Sequence, residues 1–208
     1  LVKKTQNKIM KIKPLYFFLP FVFLLFFSYS FSSEKTNLTS LGDKNAKITV
    51  KVFSSLTCPH CANFHNKIFK NLEKDFINKK VLRFEHHGFP LDLAALNAEK
   101  VLKCFKNDKK KLNFLNEIYE KQDVWANGSD INNINSNLIK IAKNHGLNDV
   151  TISKCLNDEN LENEILNERI MANKKYSIES TPTIFVNEKK YEGNHNYEEF
   201  KKVIKKLL

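Results

Sequence analysis

The sequence predicts an α/β fold in which a block of helices interrupts a small sheet. Three observations carry this prediction: a strand–helix–strand pattern over residues 47–86, a continuous helical signal from residue 92 to about 175, and a strand–strand–helix pattern after it. The chain has 208 residues, 42 % of them hydrophobic, with 5 Gly and 5 Pro. It can therefore bury a core, and it is neither disordered nor collagen-like.

The first 33 residues have the composition of a secretory signal peptide. They hold five Lys and no acidic residue, with the apolar run Leu15–Phe27 and then the small residues of Ser28–Ser33. The run is shorter than the roughly 20 residues of a membrane-spanning helix, and Pro20 interrupts it. We therefore expect export into an oxidising compartment, with an uncleaved N-terminal anchor as the alternative.

The first strand is predicted over Lys47–Phe53, where β-branched residues partly alternate with polar ones. The motif Cys58-Pro59-His60-Cys61 follows and starts a helix that should run to about residue 78, with Thr57 as its N-cap. Apolar residues recur in it at intervals of three and four, which predicts one buried face: Cys61, Phe64, Ile68, Leu72 and Phe76. A second strand is predicted over Val81–His86, and such a β-α-β unit requires a parallel strand pair.

The block from residue 92 to about 175 carries helical periodicity and no strand pattern. Apolar stripes and helix-start residues predict five helices, around Leu93–Leu102, Leu112–Tyr119, Ile131–Ala142, Asp149–Leu156 and Asp158–Tyr176. Beyond the block we expect a short strand over Thr183–Val186, a turn, and a weak strand at Tyr191. An amphipathic helix then closes the chain.

A Cys-x-x-Cys pair at the start of a helix is a thiol–disulfide motif. The sulfur of Cys58 would lie where unpaired backbone N–H groups and the helix dipole favour negative charge. Its thiolate can therefore exist at neutral pH and attack a disulfide. Cys61, one turn further along on the apolar face, can close the ring and resolve a mixed disulfide.

Three other uses of the cysteine pair have weaker support. A c-type haem site would have His directly after Cys61, where the sequence has Ala62. A zinc site could recruit His65, but neither a second Cys-x-x-Cys nor a His-x-x-x-His completes it. A purely structural Cys58–Cys61 disulfide would close too small a ring to remove much chain entropy. We therefore expect redox chemistry by the two sulfurs alone, with no metal and no cofactor.

A second motif, Ser180-Thr181-Pro182-Thr183, lies directly before the last predicted strands. Together with Val52–Phe64 around the cysteine pair and Phe89-Pro90-Leu91 before the helical block, it resembles the DsbA family of bacterial periplasmic thiol oxidoreductases over residues 41–208. The resemblance implies a thioredoxin-like fold with an inserted α-helical domain. The thioredoxin domain would comprise residues 34–91 and 177–208, and the insertion residues 92–176.

The resemblance also implies roles for individual residues. Cys58 would be the exposed nucleophile and Cys61 the resolving cysteine. The Pro59-His60 dipeptide between them would tune the stability of the thiolate. Pro182 would be a cis-proline that faces the disulfide, and Thr181 would offer backbone hydrogen bonds to a substrate peptide.

The sequence departs from the family pattern seven residues after Cys58. Some family members carry a buried acid there, whereas this chain has His65. A protonated His near the thiolate would lower the pKa of the thiol, whereas a buried acid would raise it. We therefore expect His65 to help poise the Cys58 thiolate, with a hydrogen-bonded His at the edge of the core as the alternative.

Two further cysteines, Cys104 and Cys155, lie in the helical block, 51 positions apart. In an exported protein the default is that such a pair forms a structural disulfide. Some DsbA-like proteins are similar in having a second pair in this domain. Two free buried thiols are the alternative.

The net charge of +11 does not indicate a nucleic-acid partner. Five of these charges lie in the first 33 residues, and the rest come from dispersed lysines of the kind found on solvated helix faces, such as Lys109–Lys111. Only 2 of the 34 basic residues are Arg. No interleaving of Arg with aromatic residues predicts a nucleic-acid groove.

The resemblance implies an exported thiol:disulfide oxidase that donates the Cys58–Cys61 disulfide to substrate proteins and so promotes their oxidative folding. Its partners would be proteins with free cysteines and a quinone-linked membrane reoxidant similar to DsbB, and we expect a periplasmic monomer. A disulfide isomerase or reductase is the alternative. Isomerases usually add a dimerisation domain, for which residues 34–46 are too short, but Thr before the cis-proline occurs in isomerase and reductase relatives. A non-enzymatic exported binding module is the third possibility.

Overall fold

The structure of the protein, a computed structural model, describes residues 38–208, so the leader expected at residues 1–33 lies outside the described residues. Within them, five strands form one sheet: β1 (Thr39–Leu41), β2 (Ile48–Ser54), β3 (Leu82–Gly88), β4 (Thr183–Val186) and β5 (Lys189–Lys190). The sheet order is β1-β3-β2-β4-β5. Strands β2 and β3 pair in parallel, as the β-α-β pattern requires, whereas the other neighbours are antiparallel.

The central strand β2 has a buried side chain on each face of the sheet. Ile48, Val50 and Val52 are fully buried in the main core. Phe53 points to the other face, where it joins a smaller apolar cluster whose other members are Phe89, Ile178 and Phe185. Because β2 is packed on both faces, its end is held rigidly, and so is the start of the loop that follows it.

One continuous helix follows β2, and we call it the CxxC helix. It consists of α1 (Pro59–Asn63), a π-helical stretch (Phe64–Phe69), α2 (Lys70–Leu72) and a second π-helical stretch (Glu73–Ile77). The five apolar residues predicted to share one face are all buried. The widened π-helical turns were not predicted, and such turns are frequent near functional sites.

Six helices lie between β3 and β4, namely α3 (Leu93–Cys104), α4 (Asp108–Glu120), α5 (Gln122–Trp125), α6 (Ile131–Asn144), α7 (Asp149–Leu156) and α8 (Glu159–Tyr176). The five longer ones lie where helices were expected, and each begins at an Asp or Asn whose side chain accepts a hydrogen bond from a backbone N–H group. A last helix, α9 (Tyr197–Leu207), closes the chain. A sheet split by a helical insertion confirms the predicted fold class.

None of the helices within residues 38–208 combines the length and the apolar character that a membrane crossing requires.

The expectation that the lysines lie on solvated faces is wrong for three of them, because Lys100, Lys103 and Lys111 are buried. Lys100 binds Glu162 at 2.9 Å, and Lys103 binds two further glutamates of α8 at 2.9 and 2.8 Å. These ion pairs join α3 to α8 and let long lysine chains cover apolar surface.

The second cysteine pair also ties the insertion together. In the structure, Cys104 at the end of α3 and Cys155 in α7 form a disulfide, with their Cα atoms 6.4 Å apart. Both sulfurs lie within the insertion, so the bond links two of its helices and does not cross to the sheet.

We expect a Cys104→Ala/Cys155→Ala double variant to lose roughly 4 kcal/mol of unfolding free energy, because the bond closes a loop of 51 residues in the unfolded chain. Urea unfolding of the wild type and the double variant, both without reductant, measures this difference. As a control, both proteins are also measured with reductant, where the Cys58–Cys61 pair is in the same state in both and the difference between them should nearly vanish. A loss below about 1 kcal/mol would contradict a loop-closure role for the bond.

Candidate active site

The loop after β2 delivers Cys58 to the start of the CxxC helix. Cys58 is the N-cap residue of this helix, with extended backbone angles (φ −77°, ψ 120°), and its side chain is partly exposed. Cys61 lies one turn further along and is only 1 % exposed. The predicted N-cap, Thr57, is wrong: its hydroxyl donates instead to the carboxylate of Asp92 at 2.6 Å, and Asp92 in turn caps α3.

The segment before β4 forms the other side of the site, next to Cys58. The Thr181–Pro182 peptide bond is cis. The Cys58 thiol donates to the carbonyl oxygen of Thr181 across 3.3 Å, although the two residues are 123 positions apart. The Thr181 hydroxyl is buried and has no hydrogen-bond partner in this structure, so it can donate to a thiolate on Cys58.

The two thiols differ sharply in acidity. The Cys61 thiol, which donates to the Cys58 sulfur, is the main reason why the pKa of Cys58 falls to about 5. Burial opposes this shift, whereas the Thr181 hydroxyl and the backbone N–H groups of Cys61 and His60 favour it. Burial and the neighbouring Cys58 sulfur raise the pKa of Cys61 far above its usual range. At neutral pH the pair therefore holds one thiolate, on Cys58.

His65 lies on the CxxC helix but is enclosed by the insertion. It is 2 % exposed, and its Nε2 atom is 2.7 Å from the amide oxygen of Asn116. Its ring stacks on Phe69 and contacts Tyr119, with ring centroids 4.4 and 4.7 Å apart. Burial lowers the pKa of His65 to about 3. The ring is therefore neutral at physiological pH, and this geometry supports a packing role over the charged, thiolate-tuning role.

The structure places Pro59 and His60 on the surface beside the thiolate, where both are exposed. It also brings to the site a residue that the sequence reasoning missed. Gln122, in α5 of the insertion, donates from its side-chain amide to the backbone carbonyls of Leu56 and Cys58. A Gln inside a helical stretch carries no local signal for such a contact.

Within the described residues, no three His, Cys, Asp or Glu side chains are grouped as a metal site would require. The chemistry that this site offers is thiol exchange. A partly exposed thiolate next to a buried thiol can accept or donate a disulfide through a mixed-disulfide intermediate.

Comparison with known proteins identifies the family of this chain. A protein-family model described as thioredoxin matches residues 33–206. Disulfide bond formation protein D of Bacillus subtilis is 30 % identical over 178 residues, which cover 81 % of this chain and 76 % of that protein. A putative protein-disulfide oxidoreductase of Rickettsia felis is 30 % identical over 169 residues, and there the match covers 81 % of this chain but 59 % of the relative.

Two solved structures are similar over most of their length. Wolbachia pipientis alpha-DsbA1 has a TM-score of 0.77 and 28 % identity, covering 83 % of this chain and 91 % of that one. BdbD from Bacillus subtilis has a TM-score of 0.71 and 25 % identity, covering 82 % and 92 %. The chain therefore belongs to the DsbA family of thioredoxin-fold protein-disulfide oxidoreductases.

Proposed function

We propose that this protein is an exported oxidase, which donates a Cys58–Cys61 disulfide to the thiols of substrate proteins and so promotes oxidative folding. One arrangement carries the proposal: the partly exposed Cys58 lies at the start of the CxxC helix beside the buried Cys61, which donates to its sulfur and lowers the pKa of Cys58 to about 5. A stabilised thiolate favours the reduced enzyme, which makes the corresponding disulfide a strong oxidant.

The exchange proceeds in two steps. A substrate thiolate attacks the sulfur of Cys58, the Cys58–Cys61 bond breaks, and the sulfur of Cys61 leaves and takes up a proton. A second substrate thiolate then attacks the substrate sulfur of the mixed disulfide, and Cys58 leaves as its stabilised thiolate. The substrate loses two electrons and gains a disulfide, while the enzyme becomes the dithiol. We assign the backbone of Thr181, 3.3 Å from the Cys58 sulfur, to binding the substrate peptide next to Pro182.

We assign the protein to the periplasm, where disulfides persist. The signal-like first 33 residues and the Cys104–Cys155 disulfide support this location. A DsbB-like membrane protein that passes electrons to a quinone would regenerate the disulfide.

We propose that the enzyme acts on its protein substrates as a monomer.

The reduction potential of the Cys58–Cys61 pair tests the direction of exchange. We expect equilibrium with glutathione redox buffers to give a potential near −120 mV, in the range of strong oxidants. A value near −180 mV would favour an isomerase and a value near −270 mV a reductase. The absence of exchange would leave only a binding module. The same measurement on the Cys104→Ala/Cys155→Ala variant ensures that the value belongs to the first pair.

A further inference from the structure

Gln122 connects the inserted helices to the backbone around the cysteine pair. Its Nε2 atom donates to the carbonyl oxygen of Leu56 at 2.8 Å and to that of Cys58 at 3.1 Å. The side chain is 8 % exposed, and it starts the four-residue helix α5. An amide nitrogen has two N–H donors, so this one group satisfies two carbonyls that lie on either side of Thr57.

The Cys58 carbonyl that Gln122 binds also anchors the CxxC helix. It accepts from the backbone N–H groups of Cys61 at 3.0 Å and Ala62 at 3.1 Å. The helix start has no side-chain cap, and Cys58 keeps its extended conformation outside the first turn. The orientation of this single peptide group therefore sets where the sulfur lies relative to the first-turn N–H groups and the Thr181 carbonyl.

We propose that Gln122 is a positioning residue through which the inserted domain holds the Cys58 peptide in the orientation that aims the helix-start N–H groups at the sulfur. The hydrogen bonds of Gln122 go to backbone carbonyls, so it would act on the sulfur through the backbone. The inference rests on the nucleophilic role proposed for Cys58, but it does not depend on whether the enzyme oxidises, reduces or isomerises substrates.

Gln122 has two effects on the Cys58 thiolate, and both stabilise it. Correct orientation of the peptide keeps N–H donors directed at the sulfur, and the positive end of the Gln122 amide dipole lies close to Cys58. Both favour the thiolate. Loss of the amide is therefore expected to raise the pKa of Cys58 from its lowered value.

The experiment titrates Cys58 in the reduced protein, using the ultraviolet absorbance of the thiolate, for the wild type, Gln122→Ala and Gln122→Met. We expect the pKa of Cys58 to rise by about 1 unit in both variants. The equilibrium constant with glutathione should change about tenfold, which lowers the potential by about 30 mV. Methionine keeps the side-chain volume without the donor, so the pair of variants separates the hydrogen bonds from packing.

Asn97→Ala provides the matched control. Asn97 is also an amide of the insertion, 9 % exposed, and it donates to Asn135 at 3.0 Å, so this hydrogen bond lies entirely within the insertion. This variant should lose stability without shifting the pKa of Cys58. An unchanged pKa in folded Gln122→Ala and Gln122→Met, or an equal shift in Asn97→Ala, would overturn the proposal. A potential typical of a reductase in the wild type would instead refute the proposed function and leave this inference standing.

Discussion

A Cys61→Ser variant is expected to hold substrate proteins as stable mixed disulfides, whereas a Cys58→Ser variant is expected to hold none. Cys58 is partly exposed and has a pKa of about 5, whereas Cys61 is 1 % exposed with a raised pKa. Only the first sulfur is therefore both accessible and ionised at neutral pH. Without the thiol of Cys61, nothing within the protein can resolve the bond to the substrate.

Non-reducing electrophoresis after mixing each variant with a disulfide-containing peptide measures this trapping. Turnover of reduced substrate protein should fall to the uncatalysed rate in both variants, because each lacks half of the redox pair. Trapping by Cys58→Ser that equals or exceeds that by Cys61→Ser would contradict the assignment of Cys58 as the nucleophile.

A comparison of Cys61→Ser with Cys61→Ala sharpens the result. The donation from Cys61 is the main cause of the lowered Cys58 pKa. A serine hydroxyl can still donate to the Cys58 sulfur and an alanine cannot, so the pKa of Cys58 should rise more in the alanine variant. At mildly acidic pH, alkylation of Cys58 should therefore be slower in Cys61→Ala than in Cys61→Ser. Equal rates would contradict the conclusion that donation from the Cys61 side chain stabilises the Cys58 thiolate.

Features that local chemistry determines were predictable from the sequence. The spacing of apolar residues on the CxxC helix identifies its buried face, because helical periodicity places those residues on one side whatever they pack against. Three of the long helices of the insertion, α3, α4 and α6, were predictable for the same reason. The β-branched strand before the motif and the apolar strand after the helix imply the parallel pair at the centre of the sheet.

What could not be predicted depends on contacts between distant residues. Strand β1 has three residues, too few to show a period, and it forms by pairing with β3. His65 looks like a candidate tuning group in the sequence, but burial keeps its ring neutral, and Tyr119, one of the rings that enclose it, lies more than 50 positions away. Gln122 reaches the Cys58 carbonyl across 64 positions. Such partners appear only when the insertion is folded against the sheet.

The stability of the reduced enzyme is expected to rise with pH between about 5 and 9, whereas that of the oxidised enzyme should lack this contribution. Folding lowers the pKa of Cys58 from 9.0 to about 5. Between these values the unfolded reduced chain binds a proton that the folded chain does not, so unfolding becomes less favourable as the pH rises. The stabilisation is fully present above the unfolded pKa and is lost as the pH falls through the folded pKa.

The expected slope is roughly 1 kcal/mol per pH unit at most, because Cys58 is partly exposed and water screens its charge. For a chain of this size that corresponds to a rise in Tm of about 2–4 °C per pH unit. Thermal unfolding of both redox forms from pH 5 to 8 measures it. The Cys104→Ala/Cys155→Ala background keeps the reductant from acting on the second pair.

Taking the difference between the two redox forms isolates the cysteine pair. Histidines and carboxylates titrate in both forms, so their contributions largely cancel, and Cys61 ionises only at high pH because its folded pKa is raised. In a thermodynamic cycle, the extra stability of the reduced form is also the driving force with which the disulfide oxidises substrate thiols. Cys61→Ala, which removes the main donor to the thiolate, should show a smaller pH dependence when reduced. A pH-independent difference between the redox forms would contradict both the lowered pKa of Cys58 and the oxidase assignment that rests on it.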